Sequence, residues 1–216
     1  MIGLTQALTL AAHGLQVAVI DRADPDDLTN PQNDARVSAI NSASWKMFDA
    51  IGLAEKLRPE GCDIEKILVN DGLKPGTLDF VPGEGEGPMG IMVENAVLRR
   101  LLFEAVQAHE AISLHLSTQV ASCDRGVHRV DVTLENGEQL SAPLLVAADG
   151  RGSRMREEAG IIMAHWQYDH SAIVCKIAHE KPHGNTAYEL FFPPGPFALL
   201  PMLDDEDGRH RSAVVW

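Results

Sequence analysis

Cysteine is scarce: Cys62, Cys123 and Cys175 are the three in 216 residues, each more than fifty positions from the next. That spacing excludes a CxxC metal or redox pair and a disulfide framework, and a reducing, cytoplasmic setting is expected. No apolar run reaches the roughly 18 residues that a bilayer-crossing helix needs, and no basic segment with a cleavage site opens the chain. A soluble or peripherally membrane-bound protein follows. Basic residues are outnumbered, 18 Lys and Arg against 31 Asp and Glu, for a formal charge of -13. A surface of that sign neither neutralises phosphates nor favours an anionic bilayer, so no nucleic-acid partner is expected. There is no G-x-S-x-G elbow, no P-loop and no internal repeat. Histidines 165, 170, 179 and 183 are numerous, but Pro182 interrupts any helix that would carry the last two, and no Cys or carboxylate stands at zinc-site spacing. No metal site is expected.

What is present is an ordinary globular composition, 45% hydrophobic and 23% charged, enough for a sizeable core. Leu4, Ala7, Leu8 and Ala11 recur at helical spacing and predict a helix over Gly3 to Ala12, ended at His13-Gly14. Val17 to Ile20 then predicts a short apolar strand closed by Asp21. These are the second and third elements of a βαβ unit whose first strand would precede Met1, so a truncated chain or a misplaced start is expected. A polar loop is predicted at Asp24 to Asp34, helices at about Asn41 to Ile51 and Asn95 to His109, and a short one near Ser153 to Ala159. Strands are predicted at Cys62 to Val69, Gly76 to Val81, Ser113 to Ser122, Arg129 to Glu135 and Gln139 to Ala147, with Asn136-Gly137 as a hairpin turn. Further strands are predicted at His170 to Ala178, Thr186 to Phe192, Phe197 to Leu203 and Arg211 to Trp216. The Pro82 to Gly90 stretch and the acidic Asp204 to Gly208 run read as loops. Because the last strand stops at Trp216 without a cap, truncation is expected at that end too.

Gly3, Ala7, Leu10, Gly14, Val17 and Asp21 fit the downstream part of a dinucleotide fingerprint. Gly3 would be its third glycine, where helix packs closely on strand, and Asp21, 18 residues on, would accept hydrogen bonds from a ribose. Small residues at this spacing also arise from close helix packing alone. A second motif, the apolar run Leu144 to Ala148 followed by Asp149-Gly150, Ser153 and Arg156, resembles the ADGxxSxxR element of flavin-dependent aromatic hydroxylases. Asp34-Ala35-Arg36 with Ser38-Ala39-Ile40 resembles the DxRxxAL segment of the ubiquinone-biosynthesis hydroxylases in that group, and Asn95 to Leu98 opens the long helix as theirs does. The motifs occur in the family's order along essentially the whole chain, which is thus similar to part of a polyprenyl-phenol monooxygenase of the para-hydroxybenzoate-hydroxylase fold.

That resemblance implies an α/β architecture: an FAD-binding Rossmann-like parallel sheet with an inserted antiparallel substrate-side sheet, both incomplete. The FAD-binding part would comprise residues 1–63 and 91–163, and the substrate-side sheet residues 64–90 and 164–216. It implies FAD as cofactor, NAD(P)H as reductant, O2 as co-substrate and a lipophilic phenol as substrate, with hydroxylation of its ring as the reaction. It also leaves open a peripheral association with the inner membrane or with a biosynthetic complex. Cofactor contacts would fall to Gly3 at the pyrophosphate, Asp21 at the adenosine ribose, Arg36 at the diphosphate or the flavin's polar edge, Asn95 at ribityl or phosphate oxygens, and Asp149. Each has a plainer reading: Arg36 as a solvated loop residue or partner of Asp34, Asn95 as a helix N-cap, Asp149-Gly150 as a strand-ending turn. No catalytic side chain can be chosen. The first two fingerprint glycines and a later Gly-Asp segment of the family fall outside residues 1 to 216, so the chain alone is expected to bind FAD weakly or not at all and to be inactive. A flavin-fold reductase or oxidase of another lipid, and a non-catalytic fragment, are the alternatives.

Overall fold

A computed structural model describes residues 1–30 and 34–216. In chain order its elements are α1 (Ile2–Ala12), β1 (Val17–Ile20), α2 (Pro25–Thr29), β2 (Val37–Asn41), α3 (Ser42–Ala50), α4 (Ala54–Leu57), a 3-10 turn (Arg58–Glu60), β3 (Gly61–Ile64), β4 (Lys66–Asn70), β5 (Leu78–Phe80), β6 (Gly90–Glu94) and α5 (Asn95–Gln107). There follow β7 (Ile112–His115), β8 (Val120–Arg125), β9 (Val130–Leu134), β10 (Gln139–Ala142), α6 (Arg154–Glu158), β11 (Val174–His179), β12 (Thr186–Phe192), β13 (Gly195–Met202) and β14 (His210–Val215). The chain divides into two units: Met1–Thr29 with Leu102–Tyr168, and Asn30–Leu101 with Asp169–Trp216. The domain boundaries expected at 63/64, 90/91 and 163/164 thus differ from the divisions by contact at 29/30, 101/102 and 168/169.

In the first unit, α1 buries Leu4, Ala7, Leu8 and Ala11, the stripe that its sequence spacing predicts, and packs on β1 and β7. The helix stops because Gly14 adopts φ +80°, which lets Gly14 N–H reach Ala11 C=O and Leu15 N–H reach Leu10 C=O. That paired bonding satisfies carbonyls a helix end leaves orphaned, and glycine meets its backbone requirement without a Cβ clash. β1 and β7 pair in parallel, from Val17 opposite Ile112 to Ile20 opposite His115. β8, β9 and β10 form an antiparallel meander. Its β9–β10 turn is the predicted Asn136-Gly137, with Gly137 at φ +87°.

Pairing of Val17 to Asp21 with Leu144 to Ala148 would be the natural reading of two apolar runs that each end in an acid. The structure corrects it: β1 takes β7 as its partner, and the 144–148 segment forms no strand. Leu144 is 69% exposed there. A strand exists only where a neighbour supplies its hydrogen bonds, so apolar composition alone does not make one.

In the second unit, β2, β6 and β3 form an antiparallel sheet with β6 in the centre. A second sheet runs β11-β14-β13-β12-β4-β5, and in it every adjacent pair is antiparallel except β12 with β4, which is parallel. The two sheets share a core in which Cys62, Ile64, Met92 and Ala187 pack with Val37, Ile67 and Leu200. The Asn41 side chain caps α3 by accepting the Ser44 N–H at 2.8 Å, and Leu53 and Leu57 anchor α4 in the interior. β6 is a strand that the sequence reading does not predict, and only its first residue, Gly90, falls within the expected Pro82 to Gly90 loop. Four of its five residues are buried because it is covered on both edges and both faces, so it lacks the alternation that marks a half-buried strand. The polar loop expected from Asp24 contains the short α2, and residues 31–33 of that loop lie outside the described residues. Among the described residues no helix is long and apolar enough to cross a membrane.

Leu57 has 0% exposure, so Leu57→Ala should destabilise the protein by about 2–5 kcal/mol through lost burial and the cavity it leaves. A urea melt in which the midpoint does not move would show that the site collapses around the smaller side chain.

Candidate functional site

The densest polar arrangement in the second unit is built on Asp34, just before β2. Its Oδ1 accepts the Arg36 backbone N–H at 3.1 Å and Arg36 Nε at 2.7 Å. Its Oδ2 accepts Arg36 Nη2 and Arg99 Nη2, each at 2.7 Å. The hydrogen bond from the Arg36 side chain, helped by the charge of Arg99, outweighs the effect of burial and holds the Asp34 carboxyl down at about 2. The pair keeps Arg36 still more firmly protonated.

Chain geometry explains why these residues meet. β6 runs directly into α5, and β2 pairs with β6 so that Val37 lies opposite Glu94, which puts the start of β2 beside the start of α5. Asn95 N–H donates to the Arg36 carbonyl at 3.0 Å, and the Ser38 hydroxyl donates to Asn95 Oδ1 at 2.6 Å. Asn95 is the first residue of the helix rather than the residue before it, and it is buried. Of the expected residues, then, the structure brings Arg36 and Asn95 together. Arg99 was missed, although it stands four positions after Asn95, one turn along the same helix face, and that spacing could have found it.

In the first unit, Gly3 lies in the opening turn of α1, where a Cβ would stand 3.3 Å from Ala148 Cβ. The approach is close, but the segment it meets is not the strand on which a third fingerprint glycine would pack. Met1 precedes the helix and makes no side-chain cap hydrogen bond, and no acid stands in the first turn, so the helix dipole there favours an anion. Asp21 continues β1, donating its N–H to the His115 carbonyl at 3.0 Å and accepting the Ala23 N–H on Oδ1 at 2.9 Å. Ser117, beside this turn, adopts φ +54°, and its N–H bonds the Ala23 carbonyl at 3.2 Å. Asp149 accepts the Ser153 hydroxyl on Oδ1 and the Met155 N–H on Oδ2. Burial pushes this carboxyl up, but the Ser153 hydroxyl and the amides of Met155 and Arg154 outweigh it, and the group titrates below the usual carboxylate range. Ser153 in turn caps α6 through the Arg156 N–H at 3.1 Å. Beside them a groove of about 670 Å3 is lined by Leu144, Leu145, Asp149, Gly150, Ser153 and Arg156. The ADGxxSxxR pattern is thus a single hydrogen-bonded turn.

Two other clusters belong to the second unit. Glu94 receives Lys176 at 2.6 Å and Arg211 at 3.3 Å at the rim of a cavity of about 60 Å3. The rings of His179, His183 and His210 stand 6.2 to 6.3 Å apart. Their nitrogens bond to Lys181 C=O, Ser212, Met202 C=O, Asn185 N–H and Asp204. Among the described residues no group of His, Cys, Asp and Glu is arranged to hold a metal ion.

Residues 1–216 in their entirety match the model of a family described as the FAD binding domain. This chain belongs to that family. It is 39% identical over 216 residues to the ubiquinone hydroxylase UbiL of Rhodospirillum rubrum, covering 100% of this chain and 49% of that one. It is 32% identical over 218 residues to the 3-demethoxyubiquinol 3-hydroxylase of Escherichia coli, covering 100% of this chain and 54% of that one. The chain therefore spans about half the length of the relatives it matches. Among solved structures, p-nitrophenol 4-monooxygenase PnpA from Pseudomonas putida aligns with a TM-score of 0.80 over 100% of this chain and 54% of its own, at 15% identity. Klebsiella pneumoniae HpxO, complexed with FAD and uric acid, aligns with a TM-score of 0.71 over 99% and 53%, at 17% identity. At these identities the likeness concerns the fold: a parallel sheet joined to antiparallel sheets, as the motifs imply.

The residues present fit a flavin dinucleotide chemically. A solvent-reaching guanidinium and an uncapped helix N-terminus suit its phosphates, and a carboxylate at a parallel strand's end suits its ribose hydroxyls.

The Asp34 network makes stability depend on pH. Its carboxyl falls from an ordinary 3.8 to about 2 on folding, so its contribution is fully present above about pH 4 and fades as pH drops toward 2. Asp34→Asn should be less stable than wild type by about 1–2 kcal/mol at neutral pH, and the gap should narrow across that window. Denaturant melts at pH 7, 4 and 2.5 measure it; a constant gap would mean that Asp34 titrates normally.

Proposed function

We propose that the chain is the FAD-binding and substrate-side portion of a monooxygenase that hydroxylates the aromatic ring of a polyprenyl-phenol intermediate in ubiquinone biosynthesis, using NAD(P)H and O2. The observation that carries this reading is the full-length match to the FAD binding domain family together with 39% identity to a ubiquinone hydroxylase. Residues in each unit, taken separately, support it. In the first unit, Gly3 and the α1 amides would receive the pyrophosphate, Asp21 the adenosine ribose, and Asp149 would fix the turn beside the cofactor. In the second, Arg36 would meet a phosphate or the flavin edge and Asn95 the ribityl chain.

Bound FAD supplies the redox and oxygen chemistry, so the side chains have only to bind, orient and exclude water. Asp149 ties the Asp149-to-Arg156 turn together through Ser153, and Asp34 holds the Arg36 guanidinium in place. A lipophilic substrate also supports peripheral association with the inner membrane or a biosynthetic complex. With a net charge of -13, such association would rest on apolar contact rather than on attraction to anionic lipid.

Purified in full length, the protein should carry stoichiometric flavin and consume NAD(P)H in step with addition of one oxygen atom to a prenylated phenol, read by mass spectrometry. Flavin binding with NAD(P)H oxidation but no hydroxylation of any such phenol would move the protein to the lipid reductases. Arg36→Ala should weaken FAD binding about ten- to a hundredfold, the worth of a charge-assisted hydrogen bond. Arg58→Ala, whose guanidinium is engaged by Asp63, should leave it within about twofold. Equal flavin occupancy in the two variants would remove Arg36 from the site.

A further inference from the structure

A guanidinium has five N–H donors in a fixed plane. In Arg36, Asp34 takes the Nε hydrogen and one hydrogen of Nη2, both at 2.7 Å. What remains is both hydrogens of Nη1 and the second of Nη2, which lie on edges of the plane turned away from Asp34. The Arg36 side chain is 65% exposed, whereas Asp34 is 3% and Arg99 16% exposed. Two positive charges therefore share one buried negative, and the surplus resides on the guanidinium that reaches solvent. The backbone is held as well: Arg36 N–H bonds Asp34 Oδ1, and the Arg36 carbonyl accepts the Asn95 N–H.

We propose that Asp34 is a positioning residue for an oxyanion: it grips Arg36 by its Nε–Nη2 edge and so presents the Nη1–Nη2 edge to a phosphate of the flavin dinucleotide. This rests on the cofactor reading above and specifies which atoms carry it. The Nη1–Nη2 edge matches two oxygens of one phosphate. Two effects oppose each other. The Asp34 charge repels an arriving anion, while its grip removes the side-chain freedom that an unheld arginine would lose on binding. Arg99 decides the balance, because it cancels the Asp34 charge without touching the exposed edge of Arg36. Lysine at position 36 would keep the charge but could not hold both Asp34 oxygens and still offer a second fork.

The test is a double-mutant cycle in the full-length protein, with the dissociation constant of FAD from the apo-form read by flavin fluorescence. Asp34→Asn and Arg36→Ala should each weaken binding about ten- to a hundredfold, and the double variant should be within about twofold of Arg36→Ala alone, because both act on the same contact. Additive losses would give Asp34 a merely structural part and overturn the proposal. Wild-type affinity in Asp34→Asn beside a weakened Arg36→Ala would overturn it too, while leaving the cofactor reading intact. Wild-type affinity in all three would overturn both. Should Asp34→Asn fail to fold, Arg36→Lys replaces it: about tenfold weaker binding supports the proposal, and wild-type affinity overturns it.

Discussion

The carboxylate of Asp34 accepts four hydrogen bonds on two oxygens, from one backbone amide and two guanidiniums. A buried ion pair is tolerable only when such satisfaction offsets the loss of hydration, and here it does more than neutralise charge. It joins the loop ahead of β2 to a position one turn inside α5. β6 leads without a break into that helix and pairs with β2, so one anchor fixes strand, helix and the arginine between them. The polar network of the second unit is therefore set by its core rather than by its surface.

The first unit reaches a comparable result with different means. It has an uncapped helix start pressed close to Ala148, and two carboxylates each held by backbone amides of their own turn. This unit thus offers a helix dipole and acceptors. No nucleophile is needed in either unit on the proposed function, because the chemistry belongs to the cofactor.

Much of this was legible in the sequence. α1, α5 and the Asn136-Gly137 hairpin follow from period and turn chemistry that operate locally, and β12 was read to the residue. The pairing of distant residues was not legible. The Arg36–Asp34 pair is local and was among the plain readings, but Arg99, 63 positions after Arg36, also bonds Asp34. β6 escaped notice because a strand buried on all sides shows no alternation. The run at 144–148 misled for the opposite reason: its composition promised a strand that no neighbour among the described residues completes. Local rules see neither effect, since each depends on what the rest of the chain brings alongside.

The parallel joint between β4 and β12 has a kinetic consequence. Lys66 lies opposite Thr186, so this pair joins segments 120 residues apart, and the whole stretch Leu102–Tyr168 of the first unit is synthesised between them. Closing so long a loop is slow relative to the local contacts of a helix or hairpin. On the ribosome the β1–β7 pair and the β8 to β10 meander can form while β4 still waits with an open edge. The emerging chain thus carries β4 with β5 on one edge and nothing on the other until β12 is made, and the second unit, though Asn30–Leu101 precedes the larger part of the first, is the last to finish.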